Sequence, residues 1–186
     1  MKPTRVLTAI ALCVAGSPAF AQAQAGTAVG RDGSHDFDFN FGTWHTHIRR
    51  YTNVLEGAGR YVELDGTVVT HPLWGGKGAY EEIEADGPEG HWEGMTLFLY
   101  NPASGQWSQA FASSKVGVLQ TATVGRLRNG RMELVAQDSL GGRSILVRGV
   151  WSDILPDSHT YTESYSDDAG TTWKPAFVGK LTRMKP

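Results

Sequence analysis

The sequence predicts an all-β chain of about ten strands, wound as an antiparallel up-and-down barrel. Three observations carry that expectation. Segments of β type recur from Phe41 onward with turn residues between them. No stretch holds a 3.6-residue apolar period. Gly is abundant at 23 residues and only 19% of residues are charged, which suits short strands joined by tight turns. Ten open strands would leave long unpaired edges, so closure into a barrel is the economical arrangement, and a two-sheet sandwich is the alternative.

The elements follow in order. Ser34–Asn40 predicts one helical turn, with Ser34 as its cap. Strands are expected at Thr43–Thr52, at Arg60–His71 with an interruption at Asp65-Gly66, and at Lys77–Ala85, which ends at Asp86-Gly87-Pro88. His91–Tyr100 and Gln106–Ser113 flank the turn Asn101–Gly105. Gly117–Leu127 and Arg131–Gln137 flank Asn129-Gly130, the pair that best supplies the two positive φ angles of a type I′ hairpin. Arg143–Ile154, Ser158–Ser166 and Trp173–Met184 complete the set.

Residues 1–21 read as a secretory address rather than structure. Lys2 and Arg5 precede an apolar run from Val6 to Gly16, and Ala19-Phe20-Ala21 offers a small-x-small cleavage site. The run is about half the ~20 residues a membrane span requires. Cys13 is the one cysteine and leaves with this segment, so the mature chain has no disulfide and rests on packing. Removing Lys2 and Arg5 leaves 15 basic against 19 acidic residues, a balance of −4 that offers no pull toward nucleic acid or anionic membrane. Residues 22–33 read as a flexible lead-in and 34–186 as one barrel domain, so the expected location is periplasmic or secreted.

Alternation locates the interior. From Ser158, one face carries His159, Tyr161, Glu163 and Tyr165, and the other carries Thr160, Thr162 and Ser164. The small hydroxyl face suits solvent, which turns His159, Tyr161 and Glu163 inward. A packed core would favour Val, Ile and Leu there, so polar handles in a cavity, or a wet barrel rim, are the two readings. Arg148 on the preceding strand is a possible countercharge for Glu163. The expected ligand-lining set is Tyr100, Trp107, Arg148, His159, Tyr161 and Glu163. His45 and His47 share the face opposite Trp44, beside Arg49, which makes them a solvated outer pair rather than an assigned metal site.

The stretch Phe37-Asp38-Phe39-Asn40-Phe41-Gly42-Thr43-Trp44 resembles the opening of a bacterial family of small secreted lipocalin-like (calycin-type) domains of unknown function, with a Gly-x-Trp core. The similarity extends through Trp107, Arg148, Trp151, Ser166–Trp173 and Arg183, and departs at Asn40, where that family prefers an aromatic residue. It implies a barrel base closed by Trp44 with Arg183 over it. Distantly similar nitrobindin-like barrels bring haem into consideration, with His159 the one plausible axial ligand; the residues around it do not match theirs. Ser166–Trp173 also matches the Asp-box pattern Ser-x-Asp-x-Gly-x-Thr-Trp, read here as a structural turn.

No nucleophile elbow, phosphate loop or dinucleotide fingerprint is present, and the mature chain lacks cysteine. The leading expectation is an exported barrel that holds a small apolar or aromatic molecule. The alternatives are an isomerase, cyclase or lyase that uses Glu163 and His159 in the same pocket, and a structural domain with a filled core.

Overall fold

Ten strands close on themselves in the computed structural model, which describes residues 32–57 and 59–185. They are β1 (Gly42–Tyr51), β2 (Tyr61–Leu73), β3 (Gly78–Gly87), β4 (Gly90–Asn101), β5 (Gln106–Ser113), β6 (Thr123–Arg128), β7 (Arg131–Leu140), β8 (Arg143–Leu155), β9 (Ser158–Ser166) and β10 (Lys174–Arg183). Each is antiparallel to its sequence neighbour, and β1 pairs β10 from Trp44↔Arg183 to Arg50↔Phe177. This is the up-and-down barrel that the turn spacing predicts. The expected signal segment and residues 22–31 lie outside the described residues.

Local chemistry explains most boundaries. Asn129 and Gly130 take φ of 52° and 74°, as a type I′ turn demands. Gly66 does not interrupt β2 but runs inside it, because a Cβ there would fall 1.9 Å from the Glu84 carbonyl oxygen and only glycine permits that approach of β3. The segment expected from Gly117 becomes a strand only at Thr123. Gly117 sits at φ 66° and β5 meets β6 over three rungs, Trp107 to Gln109, so residues 114–122 leave the sheet. Exposed Val116, Val118 and Leu119 ride on that departure.

One end of the barrel is packed solid. A 3-10 turn at Asp38–Asn40 pushes Phe37 into the bore, where its ring lies 4.7 Å from Phe98, 5.0 Å from Trp107 and 5.9 Å from Trp151. The turn is shorter than expected, and Ser34 does not cap it: its hydroxyl and backbone N–H both donate to Asp32 Oδ1, at 2.7 and 2.9 Å. The end of the expected flexible lead-in is fixed as well. The Gly33 carbonyl accepts from Trp107 Nε1 at 2.8 Å, and the Asp32 carbonyl accepts from the Tyr100 hydroxyl. Trp44 is fully buried, and its Nε1 donates to the Asn40 carbonyl at 2.9 Å. Arg183 lies over the Trp44 ring at 3.9 Å, as the resemblance implies, and donates to the carbonyls of Phe41, Phe39 and Pro156. Its planar fork thus serves the ring face and three acceptors at once.

The Asp-box is a turn held by its own side chains. Asp168 accepts from the Ser166 and Thr172 hydroxyls at 2.7 and 2.6 Å and from the Thr172 backbone N–H at 2.9 Å. These bonds, the Thr172 hydroxyl foremost, hold its carboxyl down to about 2. On the outer wall, Arg148 stacks on Trp173 at 4.1 Å and fastens this turn to β8.

Phe37 is the keystone of the closed end, with 1% of its surface exposed. Truncation by Phe37→Ala is expected to destabilise the barrel by about 3–5 kcal/mol, the usual range for an aromatic ring removed from a core that cannot collapse. Urea unfolding measures this as a lower midpoint at unchanged slope; a loss under about 1 kcal/mol would show that the plug does not support the fold.

Candidate functional site: a cavity in the open half of the barrel

Above the plug the bore is not filled. A cavity of about 290 Å³ is lined by Arg50, Glu81, Trp92, Gln109, Phe111, Trp151, Tyr161, Glu163, Tyr165 and Phe177, among others. A second chamber of about 360 Å³ adjoins it toward the short β5–β6 pairing and shares Gln109, Phe111, Gln120, Tyr161, Glu163 and Tyr165. Residues 52–57 fold against the mouth. Val54 lines the cavity, Leu55 is buried and its carbonyl accepts from Lys174 Nζ at 3.2 Å, and Glu56 pairs with Arg143.

The inward face of β9 is the one alternation predicts, but its residues divide by height. Tyr161 and Glu163 line both chambers. Gly149 of β8 stands opposite Glu163, and a Cβ on it would lie 2.9 Å from the Tyr161 hydroxyl, so the missing side chain makes room for that ring. His159 sits lower, inside the closed end. Trp44, Phe39 and Trp151 surround its ring at 4.3, 5.3 and 5.5 Å, and neither ring nitrogen has a hydrogen-bond partner. Trp107 and Tyr100 belong to the same packed base and line neither chamber.

Arg148 does not face Glu163. It pairs in register with Ser164, while Gly149 opposes Glu163, so the guanidinium is on the outer wall against Trp173. The expected countercharge is therefore corrected: a one-residue difference on a strand places the two groups on opposite faces. The same geometry separates the expected acid–base pair, because His159 is caged at the base and Glu163 opens to the cavity. A haem does not fit these residues, since three aromatic rings enclose the one inward imidazole. His45 and His47 point outward as expected, and His47 Nδ1 lies 2.9 Å from Asp65 Oδ1 on the exposed wall. Among the described residues no three His, Cys, Asp or Glu side chains converge as a metal set.

Among the polar groups of the cavity that escaped the sequence reading are Glu81 and Gln109. Glu81 is 3% exposed and accepts from Asn40 Nδ2 at 2.8 Å, Thr70 Oγ1 at 3.2 Å and Thr96 Oγ1 at 3.1 Å. Gln109 accepts from Trp151 Nε1 at 3.0 Å and donates to the Tyr161 hydroxyl at 3.0 Å. Both were legible by period two. Glu81 alternates with Ala79 and Ile83, and Gln109 with Trp107 and Phe111. Asn40, where the chain departs from the family it resembles, is one of the three donors that meet Glu81.

Burial dominates the electrostatics. It raises the carboxyls of Glu81 and Glu163 above the usual range, against the hydrogen bonds that favour their ionised forms. It also raises the phenols of Tyr161 and Tyr165, and Glu163 adds to both shifts. Tyr165 donates to Glu163 Oε1 at 2.8 Å.

No family model matches the chain, and no curated protein matches it. Among solved structures, the S-type phycobiliprotein lyase CPES from Guillardia theta aligns with a TM-score of 0.54 at 11% identity, over 81% of this chain and 92% of its own. A de novo designed fluorescence-activating β-barrel gives 0.45 at 15% identity over 81% and 98% of the two chains. A redesigned barrel, mFAP1, bound to DFHBI, gives 0.44 at 12% over 82% and 100%. At these identities the likeness to the lyase shows the fold, a calycin-like barrel.

Burial pulls the His159 imidazole down to about 4, and the charge of Arg183 acts in the same direction. The unfolded chain takes up this proton near pH 6.5, whereas the folded chain resists it until about 4. Stability is therefore fully present above pH 6.5 and is lost as pH falls toward 4, by about 3 kcal/mol. His159→Leu removes the titration, so the native protein is expected to lose about that much more than the variant between pH 7 and pH 4 in urea unfolding. The raised carboxyls of Glu81 and Glu163 act with the opposite sign, but equally in both proteins. Parallel pH profiles would refute the buried neutral histidine.

Proposed function

We propose that this chain is an exported protein whose barrel takes up a small apolar or aromatic molecule. The single observation that supports the reading most is the asymmetric filling of the bore: one half packed with rings, the other open and walled by Trp92, Phe111, Trp151, Tyr161, Tyr165 and Phe177. Apolar walls with a few polar groups inside are the usual anatomy of a small-molecule site. A filled-core structural domain would gain stability from closing this space, since each void forfeits contacts. The resemblance to secreted lipocalin-like domains, and the basic start with its apolar run and Ala19-Phe20-Ala21, support export and membership of that family.

Titration with N-phenyl-1-naphthylamine tests the cavity. Saturable one-site emission enhancement is expected. Ala176→Phe, at a buried cavity-lining position, is expected to weaken it at least about tenfold while thermal unfolding stays cooperative. Equal binding by the folded variant would place the dye elsewhere and remove the cavity as its site. Export has its own measurement: expressed in a diderm bacterium, the full chain should appear in the periplasm with Gln22 as its first residue. An uncleaved chain retained in the cytoplasm would overturn that part.

A further inference from the structure

The cavity is unbalanced in charge and in hydrogen bonding. Its linings carry three carboxyls, Glu81, Glu163 and Asp138, against one cation, Arg50. The Arg50 guanidinium is itself engaged by Glu89 at 2.6 Å on the exposed rim. Donors on the wall around Glu163 are already engaged: Trp151 Nε1 on Gln109, Gln109 Nε2 on the Tyr161 hydroxyl, and the Tyr165 hydroxyl on Glu163. Glu81 has three of its roughly four acceptor positions filled by side-chain donors. Glu163 differs. Its carboxyl offers about four acceptor positions, and the neighbouring phenols of Tyr165 and Tyr161 occupy at most two. Glu163 thus keeps acceptor capacity, set among rings whose faces attract positive charge.

Building on the ligand-binding reading above, we infer that the cavity selects an organic cation: a flat apolar or aromatic body bearing a protonated nitrogen that donates to Glu163, with Trp151, Tyr161 and Phe177 against its rings. Such a ligand brings a donor and a positive charge to an acid whose neighbouring donors are already engaged. An anionic ligand would meet three carboxyls and find no unpaired cation among the lining residues.

Three naphthalenes of one shape separate the outcomes near neutral pH: 2-naphthylmethylammonium, 2-naphthylmethanol and 2-naphthoate, each read by calorimetry and by displacement of N-phenyl-1-naphthylamine. The ammonium compound is expected to bind about tenfold more tightly than the alcohol, the margin of an ion pair over a hydrogen bond from a neutral donor to the same acid, and the carboxylate weakest of all. Glu163→Gln, which keeps shape and removes charge, is expected to erase the ammonium preference over the alcohol. Equal binding of the three, tightest binding of the carboxylate, or an ammonium preference that survives Glu163→Gln would overturn the inference while the cavity reading stands. Failure of all three and of the displaced dye would overturn the cavity reading itself.

Discussion

A ten-stranded antiparallel cylinder encloses more volume than one layer of inward side chains fills, because bore diameter grows with strand number. This chain meets the excess unevenly. It inserts Phe37 from outside the sheet into one end, seals that end with Trp44 and Arg183, and leaves the other to Tyr161, Glu163 and their neighbours. Position along the bore therefore decides what each inward residue does. The residues that fix the plug lie at both ends of the barrel sequence, Phe37 and Trp44 before or in β1 and Arg183 at the end of β10, so the seam that closes the sheet also closes the base.

The polar groups follow from that division. Near the plug, Asn40 and the threonines Thr70 and Thr96 satisfy Glu81, so a buried acid becomes part of the floor. One level up, Gln109 links Trp151 to Tyr161, orienting two rings that wall the cavity. Glu163 stands above both with acceptor capacity to spare. The arrangement reads as a polar floor beneath an acid with acceptor capacity to spare, which is how a site can fix a ligand's orientation without losing shape.

Strand number, turn chemistry and the inward face of β9 were legible because each depends on local rules: turn residues, absence of helical period and alternation. Two kinds of information were not. The first is register across strands, which carries Arg148 to the outer wall though its neighbour Gly149 faces Glu163. The second is height along the bore. His159, Tyr161 and Glu163 share one face, yet the first is core and the others are cavity, because period two orders residues around the wall and says nothing of where a plug stops. Trp107 and Tyr100 fall on the wrong side of that level for the same reason. The plug segment itself read as lead-in and a short turn, since nothing in 32–41 announces that Phe37 turns inward rather than against the rim.

His159 shows what height alone changes. In the cavity, an imidazole four residues from a carboxyl would be an acid–base partner within reach of a common ligand. In the base, the same side chain has both nitrogens without partners among three aromatic rings, and stays neutral well into acid. Its chemistry there is to remain uncharged. A protonated His159 would sit beside Arg183, the cation that holds Trp44 and three backbone carbonyls, so the base tolerates only one positive charge. The closed end thus excludes a second cation from the core, while the open end, lined by three acids, has room for one that arrives with a ligand.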